Sequence, residues 1–214
     1  RSKSFVVDFG PSVLTLIMWM ISYIMVNALP YKGLLPSYIM EFDTVVPFIA
    51  IFLAFLAIDL IEYTLHFLFH KIPALWKYHQ YHHNPKQMNW SKAMRLSAIE
   101  SFNVSFIVNL FILIFFGQEK LLVLAILFGV KRFYGLFLHS NTDIAYGQHF
   151  RFINSPRFHH WHHATSTQNP QNLSTLFPIW DKLFGTYYGE GTELPKAYGI
   201  MTEEVKPQVS PAVI

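Results

Sequence analysis

Ser12 to Leu29 is an uninterrupted run of eighteen uncharged residues closed by Pro30. That length suffices for an apolar helix to cross a hydrocarbon core of roughly 30 Å. A second run extends from about 44 to 65, with Asp59 and Glu62 in its final third, and a third, Ser101 to Gln118, carries no charge. Gly117, Gln118, Glu119 and Lys120 form a short polar turn into a fourth apolar stretch, 121–138, which Lys131 and Arg132 interrupt. The pattern predicts an all-α integral membrane protein with about four transmembrane helices, its 214 residues forming a single domain. Two local alternatives compete. Arg1 and Lys3 ahead of the first run resemble a signal peptide, but the run exceeds an ordinary h-region and lacks an A-x-A cleavage site. The fourth stretch would be re-entrant if its ten uncharged residues from Leu121 set its length.

Charged side chains rarely face lipid, so Asp59, Glu62, Lys131 and Arg132 mark helix surfaces that are interior or have left the bilayer. Asp59 precedes His70 by eleven residues and Lys131 precedes His139 by eight. Helices two and four therefore turn polar before carrying histidines out on one side. Lys71, Lys77, Lys86, Lys92 and Arg95 lie between the second and third runs with no acid among them, whereas Lys32 is offset by Glu41 and Asp43 in the first loop. Four spans with both termini and this basic segment in the cytoplasm satisfy the positive-inside rule. Met88, Trp90, Met94 and Leu96 among the basic residues suit a helix lying at the interface. The polar, turn-rich region from Asn141 ends in a tail, 195–214, expected to pack poorly.

Composition supports membrane residence and narrows the chemistry. The chain is 52% hydrophobic and 14% charged, against about 25% charged for soluble domains. A formal charge of +3 spread in this way fits topology better than nucleic-acid binding. Without cysteine there are no disulfides, thiolate metal sites or cysteine nucleophiles. The first residue is Arg1 rather than Met, which suggests a start inside a longer protein.

Nine of the eleven histidines fall within three five-residue windows. His66 and His70 in HFLFH are separated by four residues, so a helix places them on one face. HQYHH supplies His79, His82 and His83, and HHWHH repeats the H-x-x-H-H spacing with His159, His162 and His163. Helical i, i+3 and i, i+4 spacing is how a helix offers several imidazoles to one ion. With His139 these make nine candidates, enough for two ions with positions left open for water, oxygen or substrate. A proton relay or pH sensor would not require H-x-x-H-H twice, and the H-E-x-x-H of zinc proteases is absent. Asp59, Tyr63, His66 and His70 follow 4-3-4 spacing along one helical stripe, which suits Asp59 to orient a ligating imidazole from behind. Asp143 is a candidate ligand or support for His139, His160 a supporting donor, and Glu62 a weaker support for His66.

The ordered pattern resembles the fatty acid hydroxylase and sterol desaturase superfamily of membrane di-iron enzymes. It consists of Asp59 and Tyr63 ahead of H-x-x-x-H, then H-x-x-H-H, His139-Ser-Asn141, and H-x-x-H-H introduced by Ser155-Pro156-Arg157. PIWDKLFGTY, Pro178 to Tyr187, is similar to the family segment after the last histidine box. The resemblance covers about residues 55 to 190. It implies a cytoplasmic helical cap and a histidine-rich dinuclear site that uses two iron ions, O₂ and external electrons on a C–H bond of a membrane lipid. The implied ligands are His66, His70, His79, His82, His83, His139, His159, His162 and His163; zinc is an alternative occupant, since imidazole suits both metals. Some members carry a second histidine four residues after the lone one, where this chain has Asp143, which leaves one metal's shell open. Trp180, Asp181 and the Gly185 turn would pack the cap. Hydroxylation of a sterol, fatty acyl chain or related lipid is the leading expectation and desaturation at the same site the alternative. A non-catalytic metal carrier or transporter would instead set its ligands along a path at the bilayer midplane. No dinucleotide or P-loop motif accompanies the boxes, so electrons are expected from a separate reductase or small carrier. The basic segment would dock that carrier or rest on anionic headgroups.

Overall fold

The computed structural model describes residues 2–33, 45–147, 152–165 and 170–200. Much of the first loop, His149 and the tail beyond residue 200 lie outside them. Four long helices are present: α1 (Ser2–Asn27), α2 (Val45–Lys71), α4 (Ala98–Phe116) and α5 (Gln118–Leu138). Three short helices carry the histidines and the family segment: α3 (Pro73–His83), α6 (Pro156–His162) and α7 (Ile179–Phe184). Among the described residues there is no strand beyond a single bridge between Ala164 and Tyr198.

Segments Gly10–Asn27, Phe48–Lys71, Ala98–Phe116 and Lys120–Leu138 are long and apolar enough to cross a membrane. α5 is continuous through Lys131 and Arg132, with a length of about 30 Å, so the charges do not divide it. Lys131 is fully buried and faces the bundle, where it pairs with Asp59 and Glu62 of α2, while Arg132 Nη1 donates to Glu62 Oε1 at 2.9 Å. Two anions and two cations thus form a neutral cluster away from lipid, which is how such charges are tolerated at this depth.

The apolar core joins α1, α2, α4 and α5 through Val26, Ile58, Val108, Ile112, Leu121 and Leu124. Hydrophobic attraction between helices is weak in lipid, and small or polar side chains instead allow close approach. α1 and α4 follow this rule. Thr15 Oγ1 and Ser101 Oγ lie 3.2 Å apart, Asn109 Nδ2 donates to Ser22 Oγ at 3.2 Å, and Ser22 Oγ donates to Ser105 Oγ at 2.8 Å. At the far end Gly33 and Gly117 both have positive φ, 85° and 82°, and pack backbone to backbone. A Cβ on either would overlap the other segment.

Helix direction follows from these contacts. Gln118 N–H donates to the Tyr31 carbonyl, joining the end of α1 to the α4–α5 turn. Thr15 Oγ1 donates to the Met94 carbonyl, joining the middle of α1 to the basic segment. The ends of α2 and α5 and the start of α4 therefore share one side with the histidines.

Two expectations are corrected. The Met88–Leu96 region is not an amphipathic surface helix: only the five residues Trp90–Met94 are helical, as one 3₁₀ segment, and Met88 and Leu96 are buried. The start of the tail is also packed. The Ala197 carbonyl accepts from Thr165 N–H, Gly199 N–H donates to the His163 carbonyl, and Lys86 Nζ donates to the Ile200 carbonyl. Backbone pairing beside the last histidine box holds these residues in place; 201–214 lie outside the described residues.

Candidate metal centre

α2 continues past its apolar portion to Lys71 and presents His66 and His70 one turn apart. Pro73 starts α3 at the position where its missing N–H is not needed, and α3 presents His79, His82 and His83 inward. Ser155 caps α6 by accepting from Phe158 N–H at 3.1 Å, with Pro156 again at the first turn. His139 caps the C-terminus of α5.

Nine histidines from these elements form two groups. His66, His70, His79, His83 and His162 make one; His82, His139, His159 and His163 make the other. In each, one nitrogen per ring lies within 4.8 Å of all the others. The two H-x-x-H-H boxes divide in complementary ways. His79 and His83 enter the first group and His82 the second, whereas His159 and His163 enter the second and His162 the first. The groups adjoin, with His83 and His163 stacked at 4.3 Å between centroids.

Ring orientation shows what the groups can hold. Nδ1–H of His66 donates to the Leu173 carbonyl at 2.7 Å, that of His79 to Glu100 Oε1 at 2.7 Å, that of His139 to the Gly135 carbonyl at 2.7 Å and that of His162 to the Gln171 carbonyl at 2.8 Å. In a neutral imidazole the other nitrogen, Nε2, then carries only a lone pair. Yet Nε2 atoms approach closely: His66 to His79 at 3.1 Å, His162 to His83 at 3.0 Å, His139 to His82 at 3.2 Å and His159 to His139 at 3.1 Å. With Glu100 ionised, the His66–His79 approach sets lone pair against lone pair, which no hydrogen bond can join. Donors about 2.1 Å from one ion lie about 3.0 Å apart at right angles and about 3.4 Å apart in a tetrahedron. The observed spacings of 3.0–3.2 Å lie at or between these values, so the Nε2 atoms of each group are placed as donors to a shared ion would be. Burial pushes His82, His83, His159, His162 and His163 well below the ordinary imidazole pKa, and His139 down to about 3. The rings are therefore neutral and able to ligate at pH 7.

Of the supporting candidates, His160 stands closest to its expected place. Its Nε2–H donates to the Ser140 carbonyl, and its Nδ1 accepts from Tyr198 OH at 2.9 Å, bracing the turn after His139. Asp59 has different partners from those expected. It accepts from Leu176 N–H, Phe177 N–H and Trp180 Nε1–H and pairs with Lys131, so it docks the cap instead of backing an imidazole. Glu62 is held by Lys131 and Arg132, not His66, and Asp143, its side chain 51% exposed, accepts from Arg157 Nε in neither histidine group. The carboxylate that does back an imidazole is Glu100, 21 residues beyond His79 and outside the histidine boxes. Its signal is the S-x-x-E spacing from Ser97 to Glu100: Ser97 caps α4 by accepting from Glu100 N–H at 3.1 Å, while the Glu100 carboxylate, free of the return bond of a full capping box, turns to His79.

Asp181 is buried and accepts from Leu173 N–H, Ser174 N–H, Ser174 Oγ–H and Thr186 Oγ1–H, fixing the Leu173 carbonyl that orients His66. Asn172, at φ 51°, bonds the Phe158 and Gly189 carbonyls and the Tyr188 and Gly189 N–H groups. The family segment is thus the scaffold behind α2 and α6. A chamber of about 80 Å³ opens on the histidines, lined by Trp19, Phe69, Leu96, Val104 and Leu138 and also by Glu62, Glu100 and Arg132.

This is a helical membrane protein whose polyhistidine centre fronts an apolar chamber. The chain belongs to the fatty acid hydroxylase family, which matches residues 51–186. It is 30% identical over 156 residues to alkylglycerol monooxygenase of Danio rerio, covering 69% of this chain and 32% of that protein. The human alkylglycerol monooxygenase is 28% identical over 148 residues, again 69% and 32%, and that of Caenorhabditis elegans 28% over 154 residues, 68% and 28%. The chain spans about a third of the length of the curated relatives it matches. No solved structure matches it.

Proposed function

We propose that this chain is the metal-binding membrane domain of an O₂-dependent di-iron lipid hydroxylase. The observation that carries the reading is the pair of neutral imidazole groups, five and four donors, facing an apolar chamber at the membrane. His66, His70, His79, His83 and His162 would hold one iron and His82, His139, His159 and His163 the other. Bound iron supplies the means to activate O₂ and oxidise a carbon that no side-chain acid or base could deprotonate.

The protein's own contribution is to fix ring tautomers through Leu173, Glu100, Gly135 and Gln171, and to line the chamber with side chains that exclude water. The basic segment and the helix directions support a cytoplasmic face for the centre. Electrons would come from a separate carrier or reductase. The relatives' names make an alkylglycerol the first lipid to try, with sterols and fatty acyl lipids as comparators.

Metal analysis of protein purified with iron, together with lipid mass spectrometry of cells expressing wild type or His162→Ala, tests this. Two irons per chain and a lipid product heavier by 16 Da, lost in the variant, are expected. A product lighter by 2 Da would make the enzyme a desaturase, and one tightly held metal with no change in lipids would overturn the oxygenase reading.

A further inference from the structure

The histidine chamber, about 80 Å³, holds only the reacting portion of a lipid, since pockets for whole small molecules run to roughly 300–1,000 Å³. The remainder of the substrate must leave it. A second cavity of about 270 Å³ lies between α1, α4 and α5, and Trp19 lines both. The outer cavity is edged by Met20, Leu122 and Ile126, which are 59, 57 and 57% exposed on the lipid-facing surface. Its depth comes from Ala125 and Gly129, one turn apart on α5. A Cβ at Gly129 would meet no atom within 4 Å.

Two side chains that line this cavity carry buried polar atoms without a partner among the described residues, and such atoms call for a ligand. Asn109 is 3% exposed and lines the cavity, and its Oδ1 has no partner among the described residues, although its Nδ2 is bonded to Ser22. Trp19 Nε1–H is buried and likewise unpartnered there. An unsatisfied polar group is costly within hydrocarbon. A plain alkyl chain would satisfy neither atom, whereas a hydroxyl both accepts and donates. The wall that the two cavities share is ordered: the Arg132 guanidinium, which lines the histidine chamber, lies 5.3 Å from the Trp19 ring and 5.6 Å from that of Phe128.

We infer that the groove between α1, α4 and α5 seats the hydrocarbon chain of a hydroxyl-bearing lipid substrate, with Trp19 and Asn109 as hydrogen-bond donor and acceptor for that lipid. This rests on the oxygenase reading only for the word substrate; the groove as a lipid site stands on its own geometry.

The test uses the 214-residue chain, loaded with iron in phosphatidylcholine nanodiscs. The probes are an alkylglycerol with a diazirine in its alkyl chain and the matching diazirine alkane. Photolabelling by the alkylglycerol is expected on α1 and α5 peptides containing Met20 and Ile126. Gly129→Leu fills the groove with a better helix former and should cut that labelling at least about tenfold while metal content is unchanged. Ala125→Leu serves the same purpose if Gly129→Leu does not fold. Trp19→Phe and Asn109→Leu should weaken alkylglycerol labelling by about three- to tenfold, the scale of one hydrogen bond, and leave the alkane's unchanged. Wild-type labelling in folded groove-filling variants would overturn the inference, as would equal loss of both probes in Trp19→Phe and Asn109→Leu. Oxidation is read in parallel samples of the same nanodiscs supplied with O₂ and a chemical electron donor, which provides the two electrons that insertion of one oxygen atom consumes. Groove labelling without a product heavier by 16 Da would defeat the oxygenase reading and leave the site, whereas that product with labelling elsewhere would defeat the site alone.

Discussion

Glu100 accepts from His79 Nδ1–H at 2.7 Å, and its carboxylate is buried with Oε2 unpartnered among the described residues. A carboxylate behind a ligating imidazole fixes the tautomer and raises the basicity of the other nitrogen. Glu100→Ala is therefore expected to lower metal affinity of the five-histidine group by about 10- to 100-fold, measured by competition with a chelator, and Glu100→Gln, which keeps an acceptor, by less. The same rings set an acid limit. Burial holds His82, His83, His159, His162 and His163 well below their ordinary value and His139 at about 3. Below about pH 6.5 the unfolded chain takes up protons that these folded rings do not, so stability is full above that pH and falls as pH drops toward the folded values. Metal-free protein should lose melting temperature steadily between pH 7 and pH 5 in detergent. A flat profile would mean that water reaches and solvates these rings.

At the scale of elements, one face of α2 both carries ligands and docks the cap. Asp59 receives the 176–180 segment, Tyr63 OH lies 2.8 Å from Thr186 Oγ1, and His66 meets Leu173. The 4-3-4 stripe was legible because helical periodicity is a local property. Its partners were not, because they lie more than 100 residues away and periodicity carries no information on which segment packs against a face. For the same reason H-x-x-H-H identified His79, His82 and His83 as one cluster without revealing that His82 belongs with His139. That division depends on how α3 sits against α5 and α6. The charges on α5 were readable as interior, and their pairing gives a stability prediction. Lys131→Met leaves Asp59 and Glu62 buried with Arg132 as the remaining cation beside Glu62, and removal of one partner from a buried ion pair costs about 3–5 kcal/mol. Thermal or denaturant unfolding of the variant in detergent should register a loss of that order; a shift under about 1 kcal/mol would mean that water reaches the cluster.

For the whole molecule, the arrangement of helix ends makes one side chemically different from the other. The histidines and the basic segment lie together against α1 at Thr15, while Tyr31 and the Gly117 turn close the opposite end. Excess Lys and Arg is retained on the cytoplasmic side during insertion, and on the proposed reading this asymmetry would face the centre toward the cytoplasm. The chain has no cysteine, which allows single thiols to report sidedness without background. Lys86 and Tyr31 are both exposed on opposite ends, and Tyr31 contributes only its carbonyl to the contact with Gln118. In right-side-out vesicles, Tyr31→Cys should react with a membrane-impermeant maleimide at once and Lys86→Cys only after permeabilisation. The reverse order would put the histidines on the outer face and separate them from cytoplasmic reductants. Labelling of both thiols in sealed vesicles would mean that α2, the one long helix among the described residues between the two positions, does not cross the membrane.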